Sequence, residues 1–150
     1  MLRISAALGA GAWMGGVVRP SSGAERGTVL AALSDADLIY VSTRRRSGEW
    51  SDQAPIWFCL DEGTIYFTTS PGSWKARRLR EAGPLRINVG SADGPEIVAE
   101  AERLRDLAVV DRMGRTYEKK YWIAWLGFFK PRADRVSDGR TVAYRVELPG

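Results

Sequence analysis

The sequence predicts a mainly β domain: six short antiparallel strands closed into a small barrel, with a few short helices. Three observations lead there. Six runs rich in β-branched and aromatic residues follow one another, and one of them, TIYFTT (64–69), sets Ile65 and Phe67 against Thr64, Tyr66 and Thr68, as a strand with one buried face does. Turn residues separate several of the runs, at Ser47-Gly48, at Asp61 to Gly63 and at Ala92 to Pro95. A sheet of such short strands hides its edges by closing on itself.

Taken in order, the chain begins with ISAALGAGAWMGGVV (4–18), small and apolar, preceded by Arg3 and too short to span a bilayer. Residues 1–27 are expected to form a poorly ordered extension ahead of a domain at 28–150, with a signal segment as the alternative. In TVLAALSDA (28–36), Val29, Leu30, Leu33 and Ala36 have helical spacing. DLIYVSTRR (37–45) is the first strand, QAPIWFCL (53–60) the strand returning from it and TIYFTT the third, so these three should form a meander. Ser70 to Gly72 then breaks the chain. Ser73 is placed to cap a helix over WKARRLREAG (74–83), ended by Gly83-Pro84. PLRINVGS (84–91) and EIVAEAERLRD (96–106) make the fourth and fifth strands. A helix interrupted by Gly114 should run over Leu107–Trp125, leading into the aromatic stretch YWIAWLGFF (121–129). The last strand alternates Val142, Tyr144, Val146 and Leu148.

A chain of 150 residues fits one domain, since domains commonly run to about 100 to 150 residues. The sequence contains no His, which removes the usual general acid or base near neutral pH, the Ser-His-Asp and Cys-His nucleophile systems and most zinc sites. The acidic residues at 61–62 and 134–138 fall in turns without ligand spacing, so no metal site is expected. Cys59, the one cysteine, lies in the apolar run PIWFCL and reads as a buried packing residue; no disulfide framework is possible, and a reducing cytoplasm is permitted. The net charge of +4 suits phosphorylated small molecules as well as nucleic acid.

One local feature asks for a ligand. Lys75, Arg77 and Arg78 crowd the start of a helix, where the macrodipole already makes the N-terminus positive. Either the helix has a solvated charged face or the site is built for an anion, and the hydroxyls of Thr69 and Ser73 just ahead favour the anion.

The ordered segments of residues 37–80, with a P-x-W-F strand, an acidic-Gly turn, the strand TIYFTT and S-x-K opening a helix, followed by RINVGSADGPEIVAEAERL (86–104), resemble the FMN-binding split β-barrel of the pyridoxamine 5′-phosphate oxidase-like superfamily. The similarity runs from about Thr28 to the C-terminus. It implies a homodimer with a flavin site at each side of the subunit interface. Thr69, Ser73 and Lys75 match the positions that hold the cofactor phosphate, with Thr68, Trp74 and Arg78 beside them. Pro55, Ile56, Trp57 and Phe58 match the strand whose backbone lines the isoalloxazine ring. A phosphate dianion there would turn the repulsion into charge-assisted hydrogen bonds worth about 1.5–3 kcal/mol each.

The expectation is therefore a flavin (FMN)-dependent oxidoreductase acting on a small molecule, because a chain short of acid–base side chains fits chemistry carried by a cofactor. A deazaflavin (coenzyme F-420) reductase is the alternative of the same fold. A non-catalytic flavin or haem carrier, or a basic barrel stacking single-stranded nucleic acid on Trp57 or Trp122, are the alternatives of other classes. Neither nucleic acid nor a membrane is the expected partner. In the vitamin B6 oxidases a C-terminal Arg and His help bind substrate, and without His that activity is not expected. Catalytic residues cannot be assigned, Tyr66, Tyr117 and Tyr121 being the candidate proton donors. Tyr121, Trp122, Trp125, Phe128 and Phe129 read as core or interface, and Arg44 to Arg46 as an exposed hairpin tip.

Overall fold

A computed structural model describes residues 23–121 and 130–149. Helix α1 (Gly23–Asp35) leads into strands β1 (Ile39–Thr43), β2 (Ala54–Ile56), β3 (Cys59–Asp61) and β4 (Thr64–Thr69). Helix α2 (Trp74–Leu79), strands β5 (Ala82–Val89) and β6 (Glu96–Leu104), helix α3 (Leu107–Lys120), helix α4 (Ala133–Ser137) and strand β7 (Val142–Glu147) complete the order. Every strand pair is antiparallel, and the sheet runs β2-β1-β5-β6-β7-β4-β3.

This is a split barrel of seven strands rather than six, because the expected returning strand over residues 53–60 breaks in two. β2 pairs with β1 through Ile39↔Ile56, whereas β3 pairs with β4 through Cys59↔Tyr66. The expected three-strand meander is thereby corrected. Its halves lie on the two opposite edges of the sheet, yet only Trp57 and Phe58 stand between them. Three peptide steps from Ile56 to Cys59 reach at most about 11 Å, so the edges must approach and the sheet must curl.

Alternation along the strands divides the apolar residues between two cores. Phe58, Ile65, Phe67, Leu85, Ile87, Ile97, Tyr144 and Val146 fill the barrel interior, and α1 adds Val29 and Leu33. Each such side chain contributes about 1.5–3 kcal/mol through burial. Outside the sheet, Cys59, Leu104 and Ala143 meet Val110, Met113, Tyr117 and Tyr121. The buried α3 residues Val110, Met113, Gly114 and Tyr117 recur at the 3–4 spacing of one helix face, and Asp106 caps the helix by accepting from Ala108 N at 3.0 Å.

Three expected boundaries move. α1 begins at Gly23, ahead of Thr28. α2 stops at Leu79, where Arg80 takes a positive φ of 53°, so Gly83 and Pro84 belong to β5 and do not end the helix. Gly114 leaves α3 unbroken: it is the point where the Pro131 carbonyl comes so close that a Cβ would sit 2.7 Å from its oxygen. The two tightest turns hold, with Gly48 at φ 93° and the pair Glu62 and Gly63 at φ 51° and 80°, the left-handed pair of a two-residue hairpin. Trp122, Trp125, Phe128 and Phe129 lie outside the described residues, as do residues 1–22 of the expected extension.

Candidate functional site

Strand β4 ends at Thr69, and five residues later the chain enters α2. Ser73 has extended backbone, and its Oγ accepts from Ala76 N at 3.1 Å, which makes it the N-cap. The same oxygen lies 3.0 Å from Thr69 Oγ1. The two hydroxyls thus form one unit joining strand end to helix start.

Around that unit the cations lack acidic partners. Among the described residues, Lys75, Arg77 and Arg78 make no ion pair, although ten N···O ion-pair contacts occur elsewhere. Lys75 is half-buried, and burial lowers its pKa. Arg78 donates to Thr43 Oγ1 at 3.3 Å. Its guanidinium lies 4.9 Å from the Trp74 ring, that of Arg77 5.2 Å, and Trp74 itself is 64% exposed.

A cleft of about 650 Å³ has Thr69 in its wall. Ile56 and Trp57 line it from the bent strand, and Thr68, Thr69 and Ser70 from the end of β4. Tyr117 comes from α3, while Lys130, Arg132, Arg135, Arg140 and Thr141 come from the segment around α4. The indole of Trp57 is held rigidly: it stacks on Tyr121 with centroids 4.3 Å apart and planes 5° from parallel, and Tyr117 meets it edge-on at 6.1 Å. Tyr117 OH donates to the Trp57 carbonyl at 2.9 Å.

Of the residues singled out from the sequence, Ile56, Trp57, Thr68 and Thr69 meet in this cleft, and Ser73 joins it through Thr69. Trp74, Lys75 and Arg78 lie on α2 beyond Thr69 and do not form the cleft wall; Pro55 is exposed on edge strand β2. Phe58 is fully buried in the barrel. Its backbone is already committed as well, since its N–H donates to Tyr121 OH at 3.1 Å and its carbonyl accepts from Lys120 Nζ, also at 3.1 Å. Sequence reasoning missed Ser70, Lys130, Arg132, Arg135, Arg140 and Thr141. For the four cations the one sequence signal is the density of basic residues over 130–140, to which the sequence reading assigns no role.

The candidate proton donors separate. Tyr117 is fully buried with its pKa raised by that burial, and burial pushes Tyr121 up to about 12. The Tyr121 hydroxyl lies 2.6 Å from the Asp37 carbonyl and 3.2 Å from that of Phe58. Both tyrosines tie backbone segments together and do not present a proton to the cleft. Cys59 is buried beside them, and desolvation raises its thiol to about 12. Among the described residues no three His, Cys, Asp or Glu side chains come together as a metal site, and no helix is long and apolar enough to cross a membrane.

Comparison with known proteins returns one family. The family model described as "Pyridoxamine 5′-phosphate oxidase" matches residues 26–147. No curated protein matches the sequence. Among solved structures, General Stress Protein 26 from Bacillus anthracis superposes with a TM-score of 0.58 at 13% identity, over 81% of this chain and 87% of that one. A structure described as F420 Reductase gives 0.52 at 18% identity, over 80% and 92%. The flavocytochrome Anf3 from Azotobacter vinelandii gives 0.56 at 18% identity, over 81% of this chain and 63% of that one. At these identities the likeness is one of fold.

Proposed function

Since the chain belongs to the pyridoxamine 5′-phosphate oxidase family, we propose that it is a flavin-dependent oxidoreductase that binds FMN and acts, as a homodimer, on a small molecule. The observation that carries this reading is the position of Thr69, which lines the cleft and also bonds to Ser73 at the start of the basic helix. One residue therefore connects a corner suited to a phosphate with a cleft suited to a flat ring.

The residues fit the group on three counts. The cleft volume of about 650 Å³ falls within the roughly 300–1,000 Å³ of small-molecule sites. Cations without carboxylate partners flank two hydroxyls. The rigidly stacked Trp57 offers an aromatic wall. When bound, the flavin supplies the two-electron chemistry that no side chain here can perform. Lys75 and Ser73, with Thr69 and Arg78, would hold the phosphate; Ile56 and Trp57 would orient the ring and keep water from one side of it. The family name carries no claim to vitamin B6 chemistry here, for the chain has no His.

The F420 Reductase neighbour supports a second reading, in which the same corner holds the phosphate of a deazaflavin. Titration of the protein with FMN, coenzyme F-420 and riboflavin, followed by cofactor fluorescence, tests both. The expected result is FMN binding that weakens about tenfold or more in Lys75→Ala, as loss of one charge-assisted bond implies, while riboflavin, lacking the phosphate, binds parent and variant alike. Equal FMN affinity in parent and variant would remove the phosphate assignment; preference for F-420 would move the cofactor to the deazaflavin.

A further inference from the structure

We infer that the surface around the end of β1 binds single-stranded nucleic acid, with Trp50 and Trp74 stacking bases and Arg44, Arg45, Arg46, Arg77 and Arg86 holding phosphates. The site lies outside the cleft and does not depend on the flavin reading. In the sequence these residues are scattered over 44–50, 74–77 and 86, which is why the sequence alone suggests no site at this place. The fold gathers them.

Arg44 and Trp50 face each other across an antiparallel bridge just beyond β1, and the Arg44 guanidinium lies 4.1 Å from the centre of the Trp50 ring. Arg86, on neighbouring β5, is the register partner of Ser42 and donates to its Oγ at 3.3 Å, and its guanidinium lies 5.5 Å from the same ring. Trp74 joins from α2. Arg78 is the tether: its guanidinium lies 4.9 Å from the Trp74 ring and donates to Thr43 Oγ1, one residue before Arg44. The two rings therefore flank one strand end, each with two guanidiniums against it. Between Thr43 and Trp50 the hairpin tip is already closed, since Arg45 N donates to the Glu49 carbonyl at 2.8 Å and Gly48 N to the Arg45 carbonyl at 2.9 Å. Arg45 and Arg46 thus sit on backbone that loses little freedom when a ligand binds.

Charge and ring together select the ligand. Among the described residues, Arg44, Arg46, Arg77 and Arg86 make no ion pair, and Arg45 reaches only Asp52, at 3.8 Å, whose side chain is fully exposed. Cations left unpaired on one surface draw a polyanion, whose counterions are released on binding. All five are arginines, and a flat guanidinium both forks phosphate oxygens and stacks on ring faces. A polyanion without rings would leave the tryptophans unused, and a duplex hides its base faces. A single strand offers phosphates and stackable bases together. An anionic membrane would need a wider apolar face, but among the described residues the one other exposed large apolar side chain is Leu107, which starts α3.

Fluorescence anisotropy of a labelled oligothymidylate of about fifteen nucleotides, titrated with the full chain at several salt concentrations, tests the site. Affinity should fall steeply with salt, with a slope in logarithmic units of about −0.7 for each phosphate held. The double variant Arg45→Gln, Arg46→Gln should weaken binding about tenfold and make that slope shallower by about 1.4. Trp74→Ala and Trp50→Ala should each weaken it about fivefold or more with the slope kept. Because the Trp74 ring is 64% exposed, Trp74→Ala decides the point even where melting shows Trp50→Ala to be unfolded. The double variant Arg115→Gln, Lys119→Gln, on the exposed face of α3, removes as much charge elsewhere and should bind within about twofold of the parent. Polyphosphate and duplex DNA should compete poorly, and saturating FMN should not displace the strand. The inference is overturned by no binding, by equal losses in the two double variants, by unchanged affinity in Trp74→Ala, by equal competition from polyphosphate, or by binding to phosphatidylglycerol vesicles in place of the oligonucleotide. Displacement by FMN would overturn it too, because the strand would then occupy only the phosphate corner. A parent that binds the strand but no FMN removes the flavin reading and leaves this site standing.

Discussion

A single oxygen at Ser73 serves the helix and faces the candidate phosphate corner, and substitutions can separate the two roles. Ser73→Ala should destabilise the fold by about 0.5–2 kcal/mol in urea, the usual cost of a lost N-cap, and weaken FMN as well. Ser73→Asp keeps a capping oxygen but places a carboxylate beside the phosphate. It should therefore melt near the parent while losing more FMN affinity than the alanine variant. Tyr121 offers a purely structural contrast. Its hydroxyl accepts from the buried Phe58 N–H, so Tyr121→Phe strands that donor and should cost about 1–3 kcal/mol, measured as a shift in urea midpoint.

Two buried groups give the stability a pH dependence of opposite signs. Burial lowers Lys120 from 10.5 to about 8. Unfolded chains then bind the proton that the folded state has released, and stability should rise from about pH 8 to 10.5. Burial raises Cys59 from 9.0 to about 12, so the folded state keeps a proton that the unfolded thiol gives up, and stability should fall from about pH 9 to 12. Urea midpoints against pH should lose the rise that begins near pH 8 in Lys120→Met, and in Cys59→Ala the fall should start later, near pH 10, where Tyr117 and Tyr121, also raised by burial, begin to act. Ser73 and Cys59 were legible in the sequence because a cap and a small buried residue are local matters. The cations at 130–140 were not: that Lys130, Arg132, Arg135 and Arg140 share one cleft wall depends on tertiary contacts.

Among the elements, α3 gives the clearest case of a sequence rule overridden by packing. Glycine inside a helix costs about 1 kcal/mol relative to alanine, which is why Gly114 reads as an interruption. The helix nevertheless continues through it, because the segment ahead of α4 needs that spot for the Pro131 carbonyl. Gly114→Ala should therefore destabilise by about 1–3 kcal/mol through overcrowding, against the small gain that helix propensity alone would give; thermal melts decide between the signs. The strand at 53–60 misled for a related reason. Its apolar residues are continuous, and only the pairing partners, seventeen residues apart in the register Ile39↔Ile56 and seven apart in Cys59↔Tyr66, reveal where it bends. Strands β4 to β7 carried cleaner alternation and turn chemistry, and they appear close to where the pattern puts them.

For the molecule as a whole, Phe58 sits where the two sheet edges draw together, fully buried in the barrel. Phe58→Ala should cost about 3–5 kcal/mol, enough to unfold a marginal domain of this size, as circular dichroism would register. The barrel was legible because short strands and turns leave few ways to hide an edge. The cleft was not, since it assembles residues 56–57, 68–70, 117 and 130–141, a juxtaposition that only the closed sheet creates.

The bend at Trp57 and Phe58 ties a receptor wall to the seam of the sheet. Anything that settles on Trp57 also braces the two outermost ladders, those carrying Ala54–Ile56 and Cys59–Asp61. Occupancy should then be readable from afar as slower deuterium uptake by amides at both margins, including those that no ligand touches.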